Sequence, residues 1–547
     1  MIETEVLIVG FGPVGAALAN LLGRQGVDTV VIDKADDIFM APRAIALDNE
    51  ALRILQWAGL DDGAFERIAI PEVRMHSPLL GEFGRINSLG AIDGHPKLVT
   101  FFQPDLERAL RRNLSQYDHV RSLTGTEFKG FEETGDGITA RLSRADGSAV
   151  EVKARYLIGA DGAGSMVRRL IGEAFDGDSY AEDWLIVDAR HVPRPIDHVE
   201  FICDHRRPTP HMVAPGGRER WEFMLAKGED RAAFEDEARI AEMLNPWTGG
   251  RAVEIERRAI YRFHARAARH FHRGRVFLAG DAAHITPPFV GQGLVAGLRD
   301  AANLAWKLAF VLRGRADAAI LDSYDQERRP HAKAMIGLAK FMGRLVMPTG
   351  AIRALLVHGT MRLARLAPPL RRHFDELGIK PKNRFAKGLF RRARHHCRLA
   401  SGDVLPQGLV RDAAGAIHLS DDALGCGLVL LGFGTDAAFR LSPAQQDALS
   451  AVGGLPAQVC FRGQCLHRAE TGLVLEDLTG ALVPGAAPKD WVALVRPDRT
   501  VLHQGPAAEV ASVLADGLAL LRGPASQARG MARSMMARVS ISASKAP

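Results

Sequence analysis

The chain is poor in cysteine, and it lacks any uninterrupted apolar run long enough to span a bilayer. Its five cysteines, Cys203, Cys397, Cys426, Cys460 and Cys465, are few and odd in number, which suits a reducing cytoplasm. Cys460 and Cys465 stand close together near the C-terminus, far in sequence from every glycine motif, and read as structural thiols. The acidic start, Met1-Ile2-Glu3-Thr4-Glu5, runs straight into an apolar strand, so neither a signal peptide nor a membrane partner is expected. Strong charge bias is missing too. The net charge of +6 is small for 547 residues, and the basic residues gather locally between Arg362 and Arg398, as on a solvated helical face. Without aromatic interleaving or a binding fold, nucleic acid is not an expected partner. No metal site is expected. The length suits two or three domains.

Three glycine-containing stretches are present instead, each after an apolar strand-like run. The first is Gly10-Phe11-Gly12-Pro13-Val14-Gly15, behind Val6-Leu7-Ile8-Val9. A helical pattern from Ala16 to Gly23 follows, then Thr29-Val30-Val31-Ile32 ending in Asp33. That is a βαβ unit. Gly10 makes the turn, Gly12 admits a pyrophosphate, Gly15 lets helix and strand approach, and Asp33 stands where a carboxylate meets the ribose hydroxyls. The helix N-terminus offers free N–H groups to phosphate. This fingerprint alone does not separate FAD from NAD.

The second stretch, Gly159-Ala160-Asp161-Gly162, follows Ala154 to Ile158 and leads to Ser165 and Arg168. The third, Gly280-Asp281, follows Arg275 to Ala279 and leads through His284, Pro287 and Pro288 to Gly291, Gln292 and Gly293. A long helical pattern with Asp300, Asn303, Trp306 and Lys307 comes next. With these residues the chain resembles the FAD-dependent aromatic hydroxylases, the single-component flavoprotein monooxygenases. The resemblance implies that Asp281 binds the ribityl hydroxyls. It implies that Gly291 to Gly293 and the following helix N-terminus hold the flavin ring near its pyrimidine edge, that Gly280 and Pro288 belong to the same cofactor site, and that Asp161, Gly162 and Arg168 help place FAD and nicotinamide. Arg43, in Pro42-Arg43-Ala44, resembles the family's arginine at the pyrophosphate or flavin, and Gln103 its glutamine near the ribose and phosphates. Where the family carries Asn after the last glycine, Leu294 and Val295 stand here, so backbone N–H contacts survive and a side-chain contact does not.

The implied architecture is α/β: a Rossmann-type FAD-binding domain, an inserted β-sheet substrate domain and a C-terminal thioredoxin-like domain. Residues 1–181 and 272–345 form the FAD-binding domain, with 73–98 contributing to the substrate pocket. Residues 182–271 form the substrate sheet, 346–401 a helical linker region, and 402–547 the thioredoxin-like domain, which has no C-x-x-C pair. Leu321 to Pro330 reads as a helix ended by Pro330. Ile202-Cys203-Asp204, Arg207-Pro208-Thr209 and Arg220-Trp221-Glu222-Phe223 resemble the 3-(3-hydroxyphenyl)propionate hydroxylase branch.

The resemblance implies a monooxygenase that uses FAD, dioxygen and NADH or NADPH to hydroxylate a phenolic aromatic acid ortho to its hydroxyl, 3-(3-hydroxyphenyl)propionate or a close relative. Arg190, Arg207, His211 and Arg220 are unranked candidates for a substrate carboxylate. His284 and Asp48 are candidate catalytic groups; a structural cap is an equal reading for each. Other phenols (simple, resorcinol type or polyketide aromatic) and an FAD-dependent reductase of an apolar substrate remain open. A non-catalytic flavin fold is disfavoured by the intact motifs, and a halogenase by the missing W-x-W-x-I-P segment. A homodimer stays open as the assembly.

Overall fold

The structure, a computed structural model, describes residues 1–234, 236–375, 381, 383–464 and 472–523, without the side chains of 371–374. The chain forms two compact units. The first comprises Met1–Gly23, Asp28–Ala301 and Arg329–Lys382; the second comprises Arg24–Val27, Ala302–Arg328 and the chain from Asn383 on.

Two eight-stranded sheets organise the first unit. In one, Val120–Leu123, Thr29–Ile32, Ile2–Val9, Ala149–Gly159, Gly137–Arg144 and Thr126–Thr134 lie in that order. Val276–Leu278 runs parallel beside the end of Ala149–Gly159. The central runs Val6–Val9, Tyr156–Ile158 and Val276–Leu278 are apolar and buried, as parallel strands covered on both faces must be.

The second sheet runs in the order His284–Ile285, Glu254–Ala268, Phe175–Arg190, Arg218–Met224, Thr209–Ala214, Val199–Ile202, Glu72–Ser77, Gly81–Asn87. It therefore begins at Phe175 and draws in strands from both sides of 182–271. Side chains alternate between its faces. Leu185, Val187, Ala189, Trp221 and Phe223 pack with Ile240 and Leu244 of the helix Glu237–Thr248. Trp184, Ile186 and Met224 point the other way, into a cluster with Met75, Phe83 and Phe289.

The helix expected to end at Pro330 runs from Asp322 to Val346 with Pro330 inside it. Proline removes one backbone donor, but the buried stripe Ala332, Met335, Ile336, Ala339, Met342 and Val346 carries the helix onward.

The second unit carries a seven-stranded sheet. Its centre is three parallel strands, Leu428–Phe433, Gly454–Cys460 and Leu473–Asp477, flanked by antiparallel Trp491–Val495 and Val501–Pro506. The helices Pro443–Ala451 and Val510–Leu521 supply Leu449, Val513, Leu514 and Leu518 to a core shared with Trp306 and Phe310. Buried Arg496 holds Glu327 at 2.7 and 3.0 Å, and Lys307 reaches the same carboxylate at 2.8 Å. Burial pushes the Lys307 pKa down to about 8. Cys460 is disulfide-bonded, which corrects its reading as a thiol: spacing along the chain does not reveal which sulfurs meet. Cys465 lies outside the described residues.

Candidate active site

The three glycine turns, far apart in sequence, stand side by side at the carboxyl ends of adjacent parallel strands. Val9 is in register with Gly159, and Gly159 with Leu278. One backbone row continues past the strand ends. Gly10 N–H donates to Ile32 O, Ala160 N–H to Val9 O and Ala279 N–H to Gly159 O, at 2.8, 2.8 and 2.9 Å. The packing explains the glycines. A Cβ on Gly10, whose φ is +106°, would lie 2.3 Å from Ala160 O, and one on Gly15 would lie 1.9 Å from Gly10 O. Gly12 and Gly162 differ: nothing lies within 4 Å of where their Cβ would be, so both face open space.

Around these turns the polar side chains fall into two groups. Some are fully engaged by the protein. Asp161 accepts from Ser165 Oγ at 2.5 Å and from Met166 N–H at 2.7 Å, capping the helix Met166–Leu170. Arg168 donates to Ala282 O at 2.8 Å and Ala163 O at 2.7 Å, with Phe175 3.8 Å beneath its guanidinium, so it ties the second turn to the third. His284 Nε2 pairs with Asp300 Oδ2 at 2.6 Å, and the same oxygen takes Gly280 N–H at 3.0 Å. Asp48 caps the helix Asn49–Trp57 and accepts from Gln292 Nε2 at 3.0 Å and Arg299 at 3.2 Å. Gln292 thus turns its side chain into the protein. Gly293, Leu294 and Val295 form the first turn of the helix Gly293–Leu312, whose first N–H groups have no intrahelical acceptor.

Other side chains face open space. Asp33 takes Phe11 N–H at 2.8 Å and Ala35 N–H at 2.9 Å and keeps lone pairs for further donors. Gln103 Oε1 accepts the backbone N–H groups of Arg43 and Ala44, at 3.1 and 2.9 Å, fixing that loop. Arg43, 62% exposed, brings its guanidinium 3.9 Å from Asp281. The Asp281 side chain is 38% exposed, yet burial among surrounding atoms raises its pKa, outweighing the lowering effect of Arg43 and His284. Exposure to space together with depth marks a group lining a cleft.

The second sheet meets this cleft through Arg220, which donates to Arg43 O and Pro42 O, each at 3.1 Å. It also grips Asp188 at 2.6 and 2.9 Å. Arg257 joins Asp188 at 3.2 Å and donates to Tyr261 Oη at 2.8 Å. Burial alone would raise the Asp188 pKa; Arg220 and Arg257 outweigh it and hold it low. Beyond this charged end the face is aromatic. Trp184 stacks on Phe263 at 5.2 Å, and Phe289, from the segment leading into Gly291, meets both edge-on.

The FAD binding domain model matches residues 3–339, and the HcaD C-terminal domain model residues 402–519. The chain is 37% identical over 525 residues to the 3-(3-hydroxy-phenyl)propionate/3-hydroxycinnamic acid hydroxylase of Burkholderia cenocepacia, covering 94% of this chain and 96% of that protein. It is 33% identical over 580 residues to the hydroxylase of the same name from Comamonas testosteroni, covering 95% and 98%. Its fold matches that of the flavin-dependent monooxygenase PieE, solved in complex with FAD and substrate, with a TM-score of 0.77, 22% identity, and coverage of 95% and 99%.

The chain belongs to the FAD-dependent aromatic hydroxylases.

This hydroxylase is a flavoprotein monooxygenase, and the open glycines and cleft-lining Asp281 fit its FAD. The four candidate substrate cations are not gathered into one site. Arg190 pairs with Glu256, Arg207 with Glu229 at 2.6 Å, and His211 with Glu200 and Glu219 at 2.8 and 2.6 Å. His211 also stacks on Trp221, on the face turned away from the cleft. Only Arg220 reaches the cleft loop, and it is already paired. Sequence reading missed Asp188, Arg257, Tyr261 and Glu222, which strand register alone assembles. It also missed Arg111, whose guanidinium donates to Phe11 O at 2.9 Å. A signal existed for that one: Gln103, Glu107 and Arg111 share a face of the helix Gln103–Asn113.

Proposed function

We propose that this hydroxylase converts 3-(3-hydroxyphenyl)propionate, or a close relative such as 3-hydroxycinnamate, to the ortho-dihydroxy product. Dioxygen and reduced nicotinamide, NADH or NADPH, are its co-substrates. The observation that carries the reading is the likeness to relatives of that name across 94% of the chain. The aromatic surface of Trp184, Phe263 and Phe289 supports it, because a flat ring needs apolar walls that exclude water.

In this reading Gly12 and the following helix N-terminus receive the pyrophosphate, Asp33 the adenosine ribose and Asp281 the ribityl chain. Arg43 neutralises charge beside Asp281, and Gln103 holds the Arg43 loop. The Gly291–Val295 backbone offers N–H groups to the flavin edge. Bound FAD supplies the two-electron chemistry with dioxygen. Asp161, Arg168, His284, Asp48 and Gln292 act by positioning these turns. The C-terminal domain is thioredoxin-like and redox-inactive, the compartment is the cytoplasm, and a homodimer is the assembly to test. No helix among the described residues is long and apolar enough to cross a membrane.

A panel of phenols, scored for hydroxylated product as well as nicotinamide oxidation, tests the substrate. 3-(3-Hydroxyphenyl)propionate should yield a catechol, and its methyl ester should do so poorly. Equal efficiency with the ester or with plain phenol would remove the aromatic-acid reading and leave a broader phenol hydroxylase.

A further inference from the structure

The strand Arg218–Met224 sends Arg220, Glu222 and Met224 to the face that meets the cleft. Arg220 binds the Pro42 and Arg43 carbonyls, and Met224 packs with Trp184 and Phe289. Glu222 stands between them, opposite Ile186 of the neighbouring strand. It is 8% exposed, and no hydrogen bond to it is found among the described residues. Every other carboxylate of this quarter is held: Asp188 by Arg220 and Arg257, Asp281 beside Arg43. A buried carboxylate without a partner is costly, and it persists where a ligand supplies the partner.

The charges around it suit a proton acceptor. Arg220 and Arg257 face Asp188, leaving one positive charge that ionised Glu222 would balance. Arg43 and the Tyr261 hydroxyl complete the polar surroundings. Burial raises the Glu222 pKa, with Asp188 adding to the rise and Arg220 and Arg257 opposing it. A carboxylate whose pKa is raised is a stronger base than one in water, as a proton acceptor requires.

We propose that Glu222 accepts the proton of the substrate's phenolic hydroxyl, at the junction between the charged and aromatic halves of the sheet face. The inference rests on the phenol hydroxylase reading above. The phenol O–H bond breaks and a carboxyl O–H bond forms. The electron pair stays on the phenolic oxygen, where it activates the ring position ortho to it. The same carboxyl returns the proton to that oxygen once the ring is hydroxylated. Arg220 and Arg257 stabilise the phenolate while the proton is away.

The test uses the holoenzyme and a nitro-substituted 3-(3-hydroxyphenyl)propionate, whose phenolate absorbs in the visible. The analogue is mixed with enzyme at a pH where it is a neutral phenol in solution, with a pH indicator present. The expected result is bound phenolate without proton release, because the proton passes to Glu222. Absence of the phenolate band, or one proton released per phenolate formed, overturns the proposal using wild-type enzyme alone. Glu222→Gln, checked for folding and FAD content, should lose turnover by about 10²–10⁴-fold on the natural phenol. The loss should shrink as more acidic phenols are used, and Glu222→Asp should restore part of the rate. An equal loss across all phenols would mean a merely structural role. Failure of wild-type enzyme to hydroxylate any phenol would sink the parent reading instead.

Discussion

The strand Arg218–Met224 carries a buried charge cluster on each face, and the two are built differently. On the side beneath the helix Glu237–Thr248, His211 sits between Glu200 and Glu219 and stacks 4.6 Å from Trp221. Both of its nitrogens are engaged. On the side toward the glycine turns, Asp188 is gripped by two arginines while Glu222 has no hydrogen-bond partner among the described residues. Closed polar clusters hold a fold together; one left a partner short is where a ligand can complete the set.

The comparison can be broken at several points. The largest effect should come from Arg220→Met, which leaves Asp188 under-paired, takes the Arg220 donor from the Arg43 carbonyl and leaves the Pro42 carbonyl to Arg257 alone. A destabilisation of about 3–5 kcal/mol is expected in urea unfolding of the holoenzyme. A wild-type midpoint would show that the cluster does not brace the loop. Asp281→Ala probes the cofactor side. Loss of a charged acceptor should weaken FAD retention by about 1–3 kcal/mol, so full flavin occupancy in the purified variant would count against the assignment.

His211→Phe breaks the closed cluster. It should cost about 1–3 kcal/mol of stability, while product formed per bound flavin stays at the wild-type level. A fall in product formed per bound flavin would erase the distinction between the faces. A smaller effect concerns pH. Burial alone would lower the His211 pKa, but its hydrogen bonds to Glu200 and Glu219 raise it above the ordinary 6.5. A raised pKa means that the folded state holds the proton more tightly. The stability it brings is therefore complete below pH 6.5 and lost as pH rises through the folded value. Unfolding curves of wild type and His211→Phe should converge across that window. Cys460→Ser should change turnover least, since Cys460 belongs to the second unit's sheet and to no flavin motif.

The parts of the molecule legible in sequence were those whose meaning is local. The Gly10 turn, its strand, its helix and Asp33 lie within one βαβ unit, and glycines forced by a 2.3 Å approach announce themselves as glycines. Asp161 is legible in two ways at once: its partners Ser165 and Met166 are near neighbours, a capping pattern, and the same residue resembles a cofactor contact. The sheet face toward the glycine turns was illegible for a third reason. Asp188, Glu222 and Arg257 come from three strands, and only their pairing register brings them together. The arginine candidates could not be ranked for the same reason, because a sequence does not say which carboxylate each one meets.

Arg168 has a mechanical consequence. With one end of its guanidinium on Ala163 O and the other on Ala282 O, it clamps two turns that the strand row already joins edge to edge. Slack in one turn is then carried to the next, and the glycine loops behave as a single stiff plate. A plate of this kind transmits load but does not flex locally, so the amides of Ala160 and Ala279 should exchange their hydrogens as one cooperative class.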